Sequence, residues 1–126
     1  MSQPALSLRF LGTAAAESFP APFCTCVNCR AARRSGGRDI RRRSALLVND
    51  DLLIDFGPDV FQSFQEFGLD ATNVRTLLIT HGHSDHLAPD SFIYRTPGFR
   101  RFTELPGLDV HAPDHPQTRR RRERHA

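Results

Sequence analysis

Val74 to His86 reads V-R-T-L-L-I-T-H-G-H-S-D-H. The first seven residues are an apolar, β-branched run, the pattern of a buried strand. The strand runs straight into four candidate metal ligands within six residues: His81, His83, Asp85 and His86. Loops at the carboxyl ends of strands commonly carry function, because a rigid scaffold holds them. In extended backbone His81 and His83 point the same way, so both imidazoles can hold one ion. Asp85 and His86 follow where the chain turns and can reach a second. Imidazole plus carboxylate suits zinc, iron (Fe2+) or manganese (Mn2+), and the residues alone do not choose among them. Gly82 lets the backbone bend between ligands. Asp85 is also placed to orient a water and take its proton as general base. The bland alternative, a polar loop with solvated histidines, leaves three clustered imidazoles and a carboxylate without a packing role.

H-x-H-x-D-H resembles the first metal motif of the metallo-β-lactamase superfamily. The resemblance implies that His81 and His83 bind a first ion, and Asp85 and His86 a second.

Upstream, Leu6 to Leu11 alternates and meets Gly12, as a half-buried first strand would. The small-residue turn Gly12 to Ala16 follows it, and Pro20 and Pro22 bracket an irregular segment. Then comes C-T-C-V-N-C, with Cys24, Cys26 and Cys29 in a C-x-C-x-x-C spacing. These are the chain's three cysteines. An odd number this tightly spaced argues against a disulfide framework and for a metal or reactive thiols. Three thiolates can clasp one zinc as a closed, structural site, with binding coupled to folding. Asn28 to Arg34 would form a short helix behind it. Free or redox-active thiols are the alternative.

The run L-G-T-A-A-A-E-S-F-P-A-P-F-C-T-C-x-x-C followed by T-H-x-H-x-D-H is similar to the PhnP-like phosphodiesterase branch of that superfamily. The likeness spans about Leu6 to Pro113. It implies a structural zinc on Cys24, Cys26 and Cys29 and two catalytic-type zinc ions at the histidine loop. It also implies a small (cyclic) phosphodiester as substrate. Asp55 and Gly57 in D-F-G match the D-x-G element, in which Asp55 would orient a ligand histidine by accepting its far N–H. A simple strand-end turn is the alternative reading.

Ser44–Asn49 and Leu52–Phe56 pair naturally as a hairpin across Asp50-Asp51. Pro58 to Phe67 is the clearest helix, with Pro58 at the first helical position and Asp59 favouring the dipole. Val60, Phe61, Phe64 and Phe67 make one apolar stripe, ended by Gly68. Burying three Phe would contribute roughly 1.5–3 kcal/mol each. Leu87 to Tyr94 reads as a short helix, Phe99 to Phe102 as strand or loop, and Leu108 to His111 as a short strand. Arg41 to Arg43, in an exposed loop, would attract an anionic substrate, although a solvated basic turn is the commoner account.

These elements predict an α/β layered domain, the first half of an αββα metallo-β-lactamase sandwich, truncated before its second half. Residues 1–113 would form the partial domain and 114–126 a disordered Arg-rich tail. His111, His115 and His125 have the wrong context for the ligands that a second half would supply. The half sheet would expose its inner apolar face, so a homodimer completing the sheet is one expectation.

The net charge of +3 is uneven: residues 1–110 hold twelve Arg and twelve acids, and residues 111–126 five Arg and two acids. The basic character therefore belongs to the tail and does not indicate a nucleic-acid surface on the folded part. No apolar run is long enough to cross a membrane. No signal peptide is evident, which makes the cytoplasm the default compartment. Two function classes follow: a metal-dependent hydrolase acting on a phosphodiester, and a non-catalytic zinc-binding fragment or interaction protein.

Overall fold

The computed structural model describes residues 5–99 and 104–113. The tail 114–126, with His115 and His125, lies outside them, as does most of Phe99–Phe102. Five strands, β1 (Leu8–Gly12), β2 (Ala45–Val48), β3 (Leu52–Ile54), β4 (Thr76–Leu78) and β5 (Asp109–His111), form one sheet in that order. The first two pairings are antiparallel and the last two parallel. Helix α1 (Val27–Ser35) follows the cysteine segment, and α2 (Val60–Glu66) links β3 to β4. Pro89–Arg95 is a 3-10 helix.

Each strand alternates between two faces. Leu11, Leu47, Leu53 and Leu77 are buried against Val60 and Phe64 of α2, with Val74, Ile79 and Leu87. On the opposite face Leu8 and Phe10 are exposed, while Leu46, Val48, Leu52, Ile54 and Leu78 are half-buried. Among the described residues the sheet thus has one covered and one uncovered apolar face, as a half sandwich should.

The β2–β3 turn is centred on Asn49 and Asp50, one residue earlier than expected. Both adopt positive φ, 51° and 66°, the type I′ geometry that matches strand twist.

Helix α2 departs from the sequence reading in two ways. It begins at Val60, not Pro58, and the Asp59 side chain makes no capping bond. That carboxylate is occupied elsewhere: it accepts from the Arg43 backbone N (3.0 Å), Nε (2.8 Å) and Nη2 (2.9 Å). The expected three-Phe stripe also reduces to Phe64, since Phe61 and Phe67 are 38% and 40% exposed. Ser63 faces inward instead; its hydroxyl donates to the Leu11 carbonyl at 3.0 Å and accepts from Arg42 Nη1 at 3.2 Å. The helix lies so close over β1 that a small polar side chain, satisfied on both sides, fills the contact.

The Arg43–Asp59 pair ties the entry of β2 to the start of α2. Its hydrogen bonds with Arg43 hold the Asp59 carboxyl below its usual range. A depressed carboxyl stabilises the fold above its unfolded pKa of about 3.9 and loses that contribution as pH falls through the lower folded value. Asp59→Asn should therefore cost about 1–2 kcal/mol at neutral pH, allowing for partial solvent screening. The difference from the parent should shrink in melts below about pH 3.5. A pH-independent difference would contradict the pairing.

Candidate metal centres

Helix α1 begins at the cysteine cluster. Cys26 is its N-cap, and its Sγ accepts from the Cys29 backbone N at 3.4 Å. Cys29, one turn into the helix, is buried, while Cys24 is half-buried and Cys26 exposed. Arg33 reaches back from the helix and donates to the Ala21 carbonyl at 2.7 Å, which fixes the incoming loop against α1. The three ligand atoms lie within 4.8 Å of one another. A tetrahedral zinc with bonds of about 2.3 Å places thiolates a little closer than that, so a small contraction would close the site.

The Cys29 N–H, then the Cys24 and Cys29 thiols, lower the Cys26 thiol to about 7. At Cys29 a backbone contact with Ala21 lowers the value, but burial and the two neighbouring thiols outweigh it and raise it. Three thiols crowded together resist losing all their protons, and a cation is what would let them do so.

The histidine loop is held by the end of β3. Phe56 N donates to the His86 carbonyl (2.8 Å), and Ala88 N to the Phe56 carbonyl (2.7 Å). Gly57 allows the two backbones to touch: a Cβ there would lie 2.1 Å from the Asp85 carbonyl oxygen. Asp55, 4% exposed and at φ 69°, turns its carboxylate under the loop. It accepts from Thr80 N at 2.7 Å and from Thr80 Oγ1 at 2.9 and 2.8 Å. Its Oδ2 also lies 2.5 Å from His86 Nδ1.

This network assigns protons. An ionised carboxylate only accepts, so His86 carries its proton on Nδ1. Thr80 spends its single hydroxyl proton on Asp55, so His81 Nδ1, 3.0 Å from Thr80 Oγ1, must be the donor in that contact. Both rings then carry their lone pair on Nε2, the form that binds metal. His86 Nε2 faces Asp85 Oδ2 at 3.1 Å. Asp85 is buried. Two acceptors so close call for a proton or a cation beside them. Thr80 is the residue here to which the sequence reading gives no role; the hydroxyl directly before the first histidine is the available signal.

The rings cluster, with centroids 4.6 Å apart for His81–His83 and 4.0 Å for His81–His86. Their donor atoms do not converge as the thiols do: among the described residues, the cysteines form the one tight metal-ligand group. Of the three ions expected from the sequence, this geometry supports a site for one. His111 sits on β5 opposite Leu78, where its carbonyl accepts from Ile79 N at 2.8 Å, and it is not part of the thiol group. Among the described residues no helix is long and apolar enough to cross a membrane.

Residues 42–89 match the family model described as anti-Pycsar protein Apyc1. Coenzyme PQQ synthesis protein B of Ruegeria pomeroyi is 34% identical over 93 residues, covering 66% of this chain and 31% of that protein. The corresponding protein of an Azoarcus species is 31% identical over 93 residues. A diphosphatase of the PhnP family superposes with a TM-score of 0.71 at 25% identity, over 95% of this chain and 46% of that one. Zn2+-bound PqqB from Methylobacterium extorquens superposes with a TM-score of 0.61 at 22% identity, over 84% and 45%. The chain spans about a third of the length of the curated relatives and less than half of the solved structures. Over most of its length it matches the metallo-β-lactamase fold, in the form of a PhnP-like diphosphatase.

Proposed function

We propose that this chain, which carries part of the metallo-β-lactamase fold, is a zinc-binding unit whose thiols hold one structural ion, and that alone it does not turn over phosphodiesters. The convergence of Cys24, Cys26 and Cys29 within 4.8 Å carries this reading. Zinc there would supply a cross-link between the loop after β1 and helix α1. Cys26 and Cys29 would hold it from the helix start and Cys24 from the loop, with Arg33 bracing the approach. Reduced thiols suit a reducing compartment such as the cytoplasm.

Metal analysis of the purified chain tests this. The expected result is one zinc per chain, lost in Cys26→Ser plus Cys29→Ser and kept in His81→Ala plus His83→Ala. The variant without zinc should also melt early, because metal binding and folding are linked at such sites. Two or more ions per chain together with turnover of bis(4-nitrophenyl) phosphate would overturn the reading.

A second reading, a dinuclear phosphodiesterase centre, is favoured by one observation: His81 and His86 make their contacts to Thr80 and Asp55 through Nδ1, which turns both Nε2 atoms toward the space an ion would take. In it His81 and His83 hold one ion, and Asp85 and His86 another, of zinc, Mn2+ or Fe2+. Asp55 positions His86, and Asp85 takes a proton from the attacking water. A small phosphodiester is the substrate. The remaining ligands would come from a further segment or a second copy. Turnover that appears only when such a segment is supplied would favour it.

A further inference from the structure

The three thiols of the cysteine cluster are unequal in a way that holding an ion does not use. Residues 25–28 are exposed without a break, and Cys26 stands among them. Cys29 is buried one turn into α1, and Cys24 is half-buried in the loop. A small solute therefore meets Cys26 first. A second sulfur already waits beside it: the Cys29 backbone N donates to Cys26 Sγ at 3.4 Å, and all three sulfurs lie within 4.8 Å of one another.

Spacing decides which sulfur joins Cys26. Cys26 and Cys29 bracket the first turn of α1. Residues three apart on a helix have Cβ atoms about 5–6 Å apart, and a disulfide needs about 3.8 Å, so a small closure of the first turn is enough. Cys24 lies before the helix, in irregular backbone, and has no such register with Cys26. C-x-x-C at a helix start is also the arrangement in which two thiols pass readily between dithiol and disulfide.

We propose that Cys26 is an oxidation site for hydroperoxides, and that Cys26 and Cys29 then close into a disulfide that expels the structural ion. The expulsion rests on the zinc reading above; the disulfide does not. A thiolate is both the metal ligand and the nucleophile. The Cys26 thiolate attacks the hydroperoxide, the O–O bond breaks, and the sulfenic acid forms while the departing oxygen takes a proton from solvent. The Cys29 thiolate then attacks the sulfenic sulfur. The S–S bond forms, the S–O bond breaks, and the hydroxide takes a second proton and leaves as water. The two sulfurs lose two electrons and the peroxide gains them. With three cysteines in the chain, one thiol remains, on Cys24, and one sulfur does not make a zinc site. The loop after β1 then loses its link to α1, save for the Arg33 bond to the Ala21 carbonyl.

The test treats the zinc-loaded full chain, cleared of unbound metal, with one equivalent of hydrogen peroxide. A chromogenic chelator follows zinc, and alkylation with peptide mass spectrometry follows the sulfurs. The expected result is one zinc released per disulfide, a bond joining Cys26 to Cys29, and alkylation at Cys24 alone. Dithiothreitol with added zinc should reverse all three. Cys24→Ser should form the same disulfide. A bond from Cys24 to either partner would overturn the proposal, as would sulfinic acid in place of a disulfide or three thiols still open to alkylation. A Cys26–Cys29 bond with the zinc retained would overturn the expulsion. A chain that holds no zinc at its thiols before peroxide is added would overturn the zinc reading instead, and the mapped bond would still decide the oxidation site.

Discussion

Gly57→Ala should be among the most damaging single substitutions in this chain. The added methyl would sit 2.1 Å from the Asp85 carbonyl oxygen, and both atoms belong to, or are bonded directly to, backbone. No side-chain rotation relieves that contact, so β3 and the histidine loop must separate. Separation also breaks the Phe56–His86 and Ala88–Phe56 backbone bonds that hold the loop. Overpacking of this severity costs about 3 kcal/mol or more, a fall in melting temperature of roughly 12–20 °C for a domain of this size. The thiol site, between β1 and β2 in sequence, should keep the zinc proposed for it. Thermal melts and metal analysis on one sample check both statements. A melt within about 4 °C of the parent would show that the close approach is not a fixed part of the structure.

Asp55→Ala should cost about 2–4 kcal/mol, the sum of more than one stranded polar group. One buried carboxylate satisfies Thr80 N, Thr80 Oγ1 and His86 Nδ1. Removing it strands a backbone donor and frees an imidazole, and each loss carries a desolvation cost. Asp55→Asn separates the two roles. Asparagine tolerates the positive φ, and its amide oxygen can still accept from Thr80 N. Its NH₂ cannot accept from His86, so the ring would lose the partner that fixes its tautomer. The Asp55→Asn variant should therefore melt close to the parent while nitrogen NMR shows His86 no longer held as Nδ1–H. If the tautomer is unchanged in that variant, Asp55 does not position His86.

How far these contacts can be read in advance depends on their range. Strand periodicity is local, and the strands it announces are present; the ligand spacing of His81–His86 is equally local, but spacing alone does not gather the donor atoms, and among the described residues the cysteines form the one tight group. Asp55 and Gly57 can be placed at a strand end, and the resemblance to the superfamily supplies an expected role. What neither can show is that Gly57 touches the Asp85 carbonyl, because that contact joins two loops. The fate of Asp59 is hidden for the same reason. As a helix-start acid it looks like a dipole partner, yet Arg43, sixteen residues earlier, makes three bonds to it. The exposed Phe61 and Phe67 show the limit of a helical stripe: periodicity marks which residues share a side, not how wide a surface lies beneath them. Thr80 has a signal in its place directly before His81, but that place does not say that its hydroxyl meets Asp55, twenty-five residues earlier.

The bare side of the sheet has a consequence for how this polypeptide behaves in a tube or a cell. Leu8, Phe10, Leu46, Ile54 and Leu78 make a greasy plane that no second layer covers among the described residues. Whatever lays a second wall on it, whether more polypeptide or another molecule, will raise the melting point by mass action. Stability measured on these 126 residues is therefore a function of concentration and company, and a single melting temperature quoted without them has little meaning.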